Sequence, residues 1–280
     1  MTAFGLKVMA CLCMLADHIG YCEGILWMRA IGRLAFPIYA FLIANGYRHT
    51  RNVSRYMLRL FCAAVISEPC FDFFVSHTWF DLAHQNVLWT LLLGLICLAC
   101  KERMCRIGKP GKLLFPLSVI LVCGAAILAS TDYAAVGVLS VLAFGAGKKS
   151  RTADTADGRG LADPDCTRCG RAGLTFPGAG APEPVCCLLF VLVTFLRPLA
   201  FCGKRLAGSF DLTLFQTAEE IFGSFSEWDV VNLLRISALF PILLYNGKKG
   251  APEHFRGSIL MQCGFYLFYP AHMLLLALLL

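Results

Sequence analysis

The chain has 280 residues, 58% of them hydrophobic and only 15% charged, with a formal net charge of +7. Soluble domains carry about 25% charged residues, so the composition excludes an ordinary soluble enzyme and predicts an all-α, polytopic transmembrane helix bundle. Most of the positive charge falls in alternate loops, so it reads as topology and does not argue for nucleic acid.

A spanning helix needs about 20 mostly apolar residues. The first such stretch, 4–21, has Lys7 ahead of its apolar core and so looks like a signal peptide. It also carries Asp17-His18 and is followed by further spans, which predicts an uncleaved first helix. The second, 26–46, contains Arg33 and Pro37 and leads into a loop with Arg48, Arg51, Arg55 and Arg59. The third, 57–76, holds Glu68-Pro69 and Asp72. Gln85-Asn86 opens the fourth, 87–100, and Lys101, Arg103, Arg106, Lys109 and Lys112 follow it. Spans five and six, 113–130 and 133–147, meet at Asp132-Tyr133.

The segment 148–184 is rich in Gly, Ala, Pro and Asp and nearly free of aliphatic runs. It cannot bury enough apolar surface to order itself and reads as a flexible cytoplasmic linker inserted in a single membrane domain, 1–280. Spans seven to nine follow at 185–202, 229–245 and 258–279. An interfacial helix is expected within 206–227, and Lys248, Lys249 and Arg256 precede the last span. About nine spans (8–10) with a cytoplasmic N-terminus put the basic loops inside, as in a multi-pass protein of the cell inner membrane.

Of fifteen cysteines, most lie in apolar stretches, where Cys behaves as a small hydrophobe, and no disulfide framework is expected. Cys166-Thr-Arg-Cys169 has no second pair or nearby His, so no metal is predicted.

The ionisable residues inside apolar stretches carry the functional information. Each charged group at mid-bilayer costs roughly 2.5–3.5 kcal/mol, and four left unpaired would cost on the order of 10 kcal/mol. Asp17, Arg33, Glu68 and Asp72 should therefore pair or reach water, which leaves His18 free. The topology places most of them in the outer half, with Glu68 and Asp72 four apart on one helical face. Arg33 has three candidate partners: Asp17, Glu68 and Asp72. His18 titrates nearest neutral pH and is the candidate base. Tyr269 and His272, three apart on the last span, face one direction at comparable depth. Proton relays use similar residues, so a proton-coupled multi-pass transporter is the alternative reading. No inverted repeat or matched pair of broken helices supports it.

Several motifs resemble the TraX family of membrane acetyltransferases, named for the conjugative-pilus protein that N-acetylates pilin. They are Leu15-Ala-Asp-His-Ile-Gly20, Ile31-Gly-Arg-Leu-Ala-Phe-Pro-Ile-Tyr-Ala-Phe41, Arg48-His-Thr-Arg-Asn52 with Tyr56-Met-Leu-Arg59, and Ile66-Ser-Glu-Pro-Cys-Phe-Asp72. Further along come Gln85-Asn-Val-Leu-Trp-Thr-Leu91, Thr131-Asp-Tyr133, Leu244-Tyr-Asn-Gly-Lys-Lys-Gly250 and Phe268-Tyr-Pro-Ala-His272.

The resemblance implies transfer of an acetyl group from acetyl-CoA to an amine or hydroxyl, either a pilin-like N-terminus or a cell-envelope glycan or lipid, at or near the outer face. His18 is then expected to act as base, with Asp17, Arg33, Glu68, Asp72 and His272 as the rest of the catalytic set. Arg33 is expected either to stabilise the oxyanion or to pair with Glu68 and Asp72. Donor and acceptor binding is expected from Arg48, Arg51, Arg55, Asn86, Tyr133, Tyr245 and Asn246, with the inner loops 48–59 and 101–112 suited to the phosphates of CoA.

Overall fold

A computed structural model of the chain describes residues 1–146, 182–195, 231–250 and 259–279. Among these residues the protein is helical and has no strands, only an isolated bridge between Gln85 and Thr131. The helices are α1 (Ala3–Cys22), α2 (Leu26–Gly32), α3 (Ala35–His49), α4 (Val53–Ser76), α5 (Val87–Ile107), α6 (Lys109–Leu128) and α7 (Ala134–Phe144). They are followed by α8 (Pro184–Phe195), α9 (Val231–Leu243), whose middle turns are 3-10, and α10 (Ile259–Leu279).

Three helical stretches are long and apolar enough to cross a membrane: Ala3–Cys22, Leu26–His49 and Lys109–Leu128. Several shorter apolar helices accompany them. On α6, Leu113, Ile120, Leu121 and Leu128 are all exposed. An outer face this apolar suits hydrocarbon and not water. This is a membrane protein.

Local chemistry accounts for the helix ends. Thr2 Oγ1 accepts the Gly5 N–H at 3.2 Å, Asn52 accepts that of Arg55 at 2.9 Å, and Asn86 accepts that of Leu88 at 2.9 Å. Each is a side-chain N-cap for a donor that the first helical turn leaves over. Pro37 has no N–H for the carbonyl of Arg33, and its ring crowds that carbonyl. The apolar stretch at 26–49 accordingly breaks at Arg33-Leu34 into α2 and α3, joined through tight turns such as Leu34 N–H to Ile31 C=O at 3.1 Å.

Two expectations change here. The fourth apolar stretch continues as helix to Ile107, and α6 starts at Lys109 after Gly108. The basic segment 101–112 is therefore mostly helix rather than loop, because Glu102 holds Arg106 at 2.7 Å one turn on and accepts from the Tyr47 hydroxyl. The sixth stretch forms only the eleven residues of α7. The linker residues 148–181, Cys166 and Cys169, and the stretch 206–227 lie outside the described residues.

α3 is the centre of the bundle. It buries Phe36, Ile38, Phe41, Ile43, Ala44 and Tyr47 and packs on α1, α5, α7 and α9. The main core joins Phe41 and Ile38 to Leu6, Leu60, Leu91, Leu95, Phe144 and Ile242. α8 docks through Phe190, stacked on Phe144 at 4.9 Å. α1 and α4 both pack on α10, and α1 also lies close against α2.

That last approach depends on Gly32, where an added Cβ would overlap the Asp17 side chain. Gly124 on α6 has open space instead. Gly32→Ala is expected to destabilise the fold by about 1–3 kcal/mol through overpacking, whereas Gly124→Ala should be neutral or stabilising by up to about 1 kcal/mol. Reversible unfolding in mixed micelles measures both, and equal effects would refute the close α1–α2 contact.

Candidate functional site

Asp17 and His18 are neighbours on α1 and point to different helices. Asp17 turns to α2, where Arg33 Nη2 lies 3.2 Å from Oδ1 and Arg29 Nη1 lies 3.5 Å from Oδ2. Arg29 also reaches the Asp17 carbonyl at 3.4 Å. These side chains are 12–16% exposed, so the carboxylate is held between two guanidiniums with little water. Arg29 escaped the sequence reading, although it sits four residues before Arg33, on the same helical face.

His18 turns to α10. Its Nδ1 lies 2.7 Å from Nε2 of His272, the two rings are nearly parallel, and His272 Nδ1 lies 2.6 Å from the carbonyl oxygen of Phe268. A carbonyl only accepts, so His272 Nδ1 carries a proton and its Nε2 presents a lone pair. His18 Nδ1 must then donate to it. The remaining nitrogen, His18 Nε2, is left with a lone pair, in the state a base requires. His18 is half-buried, His272 is buried, and Phe74 lies against His18 at 5.1 Å.

Glu68 and Asp72 do share one face of α4, but neither is paired with Arg33. The Glu68 carboxylate accepts the Asn86 backbone N–H at 3.1 Å and Trp89 Nε1–H at 2.6 Å, and also pairs with the Asn86 side chain. Asn86 in turn donates to the Ala64 carbonyl at 3.0 Å. Asp72 accepts the Asp81 N–H at 2.9 Å. The two acids thus brace the 77–86 loop and the start of α5. A nearer partner took Arg33, because the α1–α2 turn brings Asp17 back beside it.

Tyr133 sits at the start of α7 with a left-handed backbone, φ +62°. Its ring stacks on Phe36 at 4.0 Å and carries the Arg235 guanidinium 4.7 Å above it. Ser130 and Ala134 also have positive φ, and such residues cost about 1 kcal/mol or more each. The turn is held by the Gln85–Thr131 bridge and by the Thr90 hydroxyl on the Asp132 carbonyl. Asp132, Arg33, Arg235 and Tyr133 lie within electrostatic reach of one another.

A cavity of about 890 Å³ occupies the end of the bundle that carries the N-terminus. Lys7, His49, Arg59, Lys248 and Lys249 give it a basic rim, and Met14, Tyr39 and Tyr269 close its inner end. Met14 is one turn before His18, and Tyr269 one turn before His272. The rim loop is fastened to α1: Ala3 and Phe4 N–H groups donate to the Lys248 and Lys249 carbonyls at 2.9 and 3.0 Å, and Asn246 N–H to the Met1 carbonyl at 2.9 Å.

The predicted binding residues divide around this cavity. Tyr245 lines it and accepts from Asn45 at 3.2 Å. Asn246 shapes the rim loop by accepting the Lys248 N–H at 3.1 Å. Arg48 is instead bonded to the Phe144 carbonyl, Arg51 and Arg55 are exposed outside the lining, and Asn86 and Tyr133 serve helix starts. Among the described residues, no group of three or more His, Cys, Asp and Glu side chains is placed to hold a metal ion.

A family model described as TraX protein matches residues 4–155, just over half of the chain. The chain belongs to the TraX family. The TraX match covers Asp17, His18, Arg33, Glu68, Asp72, Asn86 and Tyr133, whereas Tyr245, Asn246 and His272 lie beyond it. The histidine pair therefore joins a residue inside the matched region to one outside. The chain is also 31% identical over 130 residues to the probable fimbrial assembly protein FimC, serogroup H1, of Dichelobacter nodosus, covering 42% of this chain and 53% of that protein. It thus spans about half the length of that relative. No solved structure matches.

Removing the Glu68 carboxylate leaves the Asn86 and Trp89 donors without their acceptor. Glu68→Ala should lower stability by about 2–4 kcal/mol and shift Trp89 to a wetter environment, read as a fall in thermal midpoint and a red shift in emission. An unchanged midpoint would show that Glu68 is not a brace.

Proposed function

We propose that this TraX-family protein is a multi-pass acetyltransferase of the cell inner membrane, with its N-terminus in the cytoplasm. It takes the acetyl group of acetyl-CoA from the cytoplasmic side and transfers it to an amine or hydroxyl acceptor at or near the outer face. The relay from the Phe268 carbonyl through His272 to His18 carries this reading, because it leaves a lone pair on Nε2 of a histidine that lies one helical turn past Met14, at the inner end of a basic-rimmed cavity.

Acetyl transfer needs a base for the acceptor proton, a positioned thioester and a donor for the developing oxyanion. His18 Nε2 removes the proton. Positive charge then growing on His18 is shared along the Nδ1–H bond to His272, whose own N–H rests on a carbonyl that stabilises it. The CoA phosphates suit Lys248, Lys249, Lys7 and Arg59 at the rim, and the pantetheine arm follows the apolar cavity wall inward. Asp17 with Arg29 and Arg33 holds α1 against α2 and keeps His18 at the end of that path. The relative named for fimbrial assembly is consistent with an acceptor in a surface-fibre or envelope pathway, and a pilin-like N-terminus is one such acceptor.

The test is incubation of purified protein in lipid vesicles with labelled acetyl-CoA and envelope extract. Labelled product is expected, and proton flux without product would instead support a transporter. His18→Ala should reduce transfer by about 10²–10⁴-fold, the usual contribution of a general base. Lys248→Ala with Lys249→Ala should raise the KM for acetyl-CoA by about ten-fold, about 1.4 kcal/mol of binding, with little change in kcat. Arg51→Ala with Arg55→Ala should leave KM unchanged. The opposite ranking of the two pairs would move the donor site to the 48–59 loop.

A further inference from the structure

The cavity holds a second group that the acetyl-transfer reading needs and that the charged residues do not supply. Arg33 is engaged by Asp17 at 3.2 Å on the α2 side of α1, away from the face that carries His18 toward α10. The oxyanion of a thioester under attack therefore needs another donor. Tyr269 is the side chain at the inner end of the cavity that belongs to the same helix as His272. It lies three residues earlier, with the two rings 6.0 Å apart.

Tyr269 is buried at 5% exposure among Met14, Ala35, Phe71, Phe74 and Met273. Its ring has little freedom, and Val87, the first residue of α5, lines the same cavity. Among the described residues no acceptor takes the Tyr269 hydroxyl proton, so it is available to a ligand carbonyl. The other cavity phenols differ: Tyr39 meets the Cys11 sulfur at 3.1 Å, Tyr245 meets Asn45, and Tyr56 and Tyr266 lie beside Arg59 at the rim.

We propose that the Tyr269 hydroxyl is a catalytic hydrogen-bond donor that binds the thioester carbonyl oxygen of the donor and stabilises its oxyanion. This inference rests on the acetyl-transfer reading. The acceptor nitrogen or oxygen gives its proton to His18 Nε2 and forms a bond to the acetyl carbonyl carbon. The carbonyl π pair moves to oxygen, where Tyr269 O–H meets it. On collapse that pair re-forms the C=O bond, the C–S bond breaks, and the departing CoA thiolate takes the proton from His18. Every proton and electron pair is accounted for, and no metal or redox partner is required.

The experiment is steady-state kinetics with Tyr269→Phe in the same vesicle assay. One lost oxyanion donor lowers kcat by about 10²–10³-fold. The KM for acetyl-CoA should stay within about three-fold, because the phosphates and pantetheine are bound elsewhere. A split in which KM rises and kcat holds would assign Tyr269 to donor binding alone and overturn the proposal, as would wild-type kcat. Placing 3-fluorotyrosine at 269 keeps the shape while making the O–H more acidic, so kcat should rise by about two-fold at unchanged KM. A merely structural tyrosine would leave kcat unchanged, and this arm decides the matter if Tyr269→Phe does not fold. A wild-type protein with no transferase activity would sink the enzyme reading together with this one. An active wild type whose kcat is indifferent to both replacements would sink only the role of Tyr269.

Discussion

The fold depends on how Asp17 is accommodated. A carboxylate this far along an apolar helix is expensive to leave alone in hydrocarbon, on the order of 2.5–3.5 kcal/mol at the bilayer centre. Here it lies between Arg29 and Arg33, at 3.5 and 3.2 Å. That pairing explains three other features. α2 must return directly beside α1, the contact face must carry Gly32 so that the helices come close, and the apolar stretch must break just after Arg33, where Pro37 removes a helix hydrogen bond. With α1 held in this way, the next residue, His18, faces α10.

The consequence for chemistry is a division of labour between adjacent side chains. Asp17 faces the structural ion pair, and His18 faces the histidine of α10. Had both turned to one side, the carboxylate would have been the natural partner of the imidazole. Instead the partner is a second imidazole whose tautomer is set by a backbone carbonyl. A chain of neutral hydrogen bonds replaces the charged orienting group, which keeps a further carboxylate out of a low-dielectric layer that already contains Asp17 and Asp132.

The same logic governs the acids of α4. Glu68 and Asp72 satisfy backbone and side-chain donors of the following loop, so their cost is offset by hydrogen bonds and not by an opposite charge. The helix face they share follows from their spacing. Their partners do not, because an isolated spacing of four residues carries no information about which loop returns to meet it. Arg48 and Arg235 teach a similar lesson. Each is a cation that sequence position alone assigns to a binding loop or to an apolar helix, and each is committed to contacts within the fold, with the Phe144 carbonyl and the Tyr133 ring.

Composition and periodicity by themselves determined that the chain is helical and apolar enough for a membrane. They also determined which residues are costly enough to need explanation: Asp17, His18, Arg33, Glu68 and Asp72. These are local properties, set by transfer free energy and by a 3.6-residue repeat. Only the tertiary structure decided that His18 meets His272 across 254 residues of sequence, that Arg29 joins Arg33 on Asp17, and that the basic rim of the cavity comes from Lys7, Arg59, Lys248 and Lys249. Such contacts depend on which helices are neighbours and on how each is rotated about its axis. Close packing around α3 and the few pairings that leave no buried charge alone settle that rotation, and no single segment encodes it.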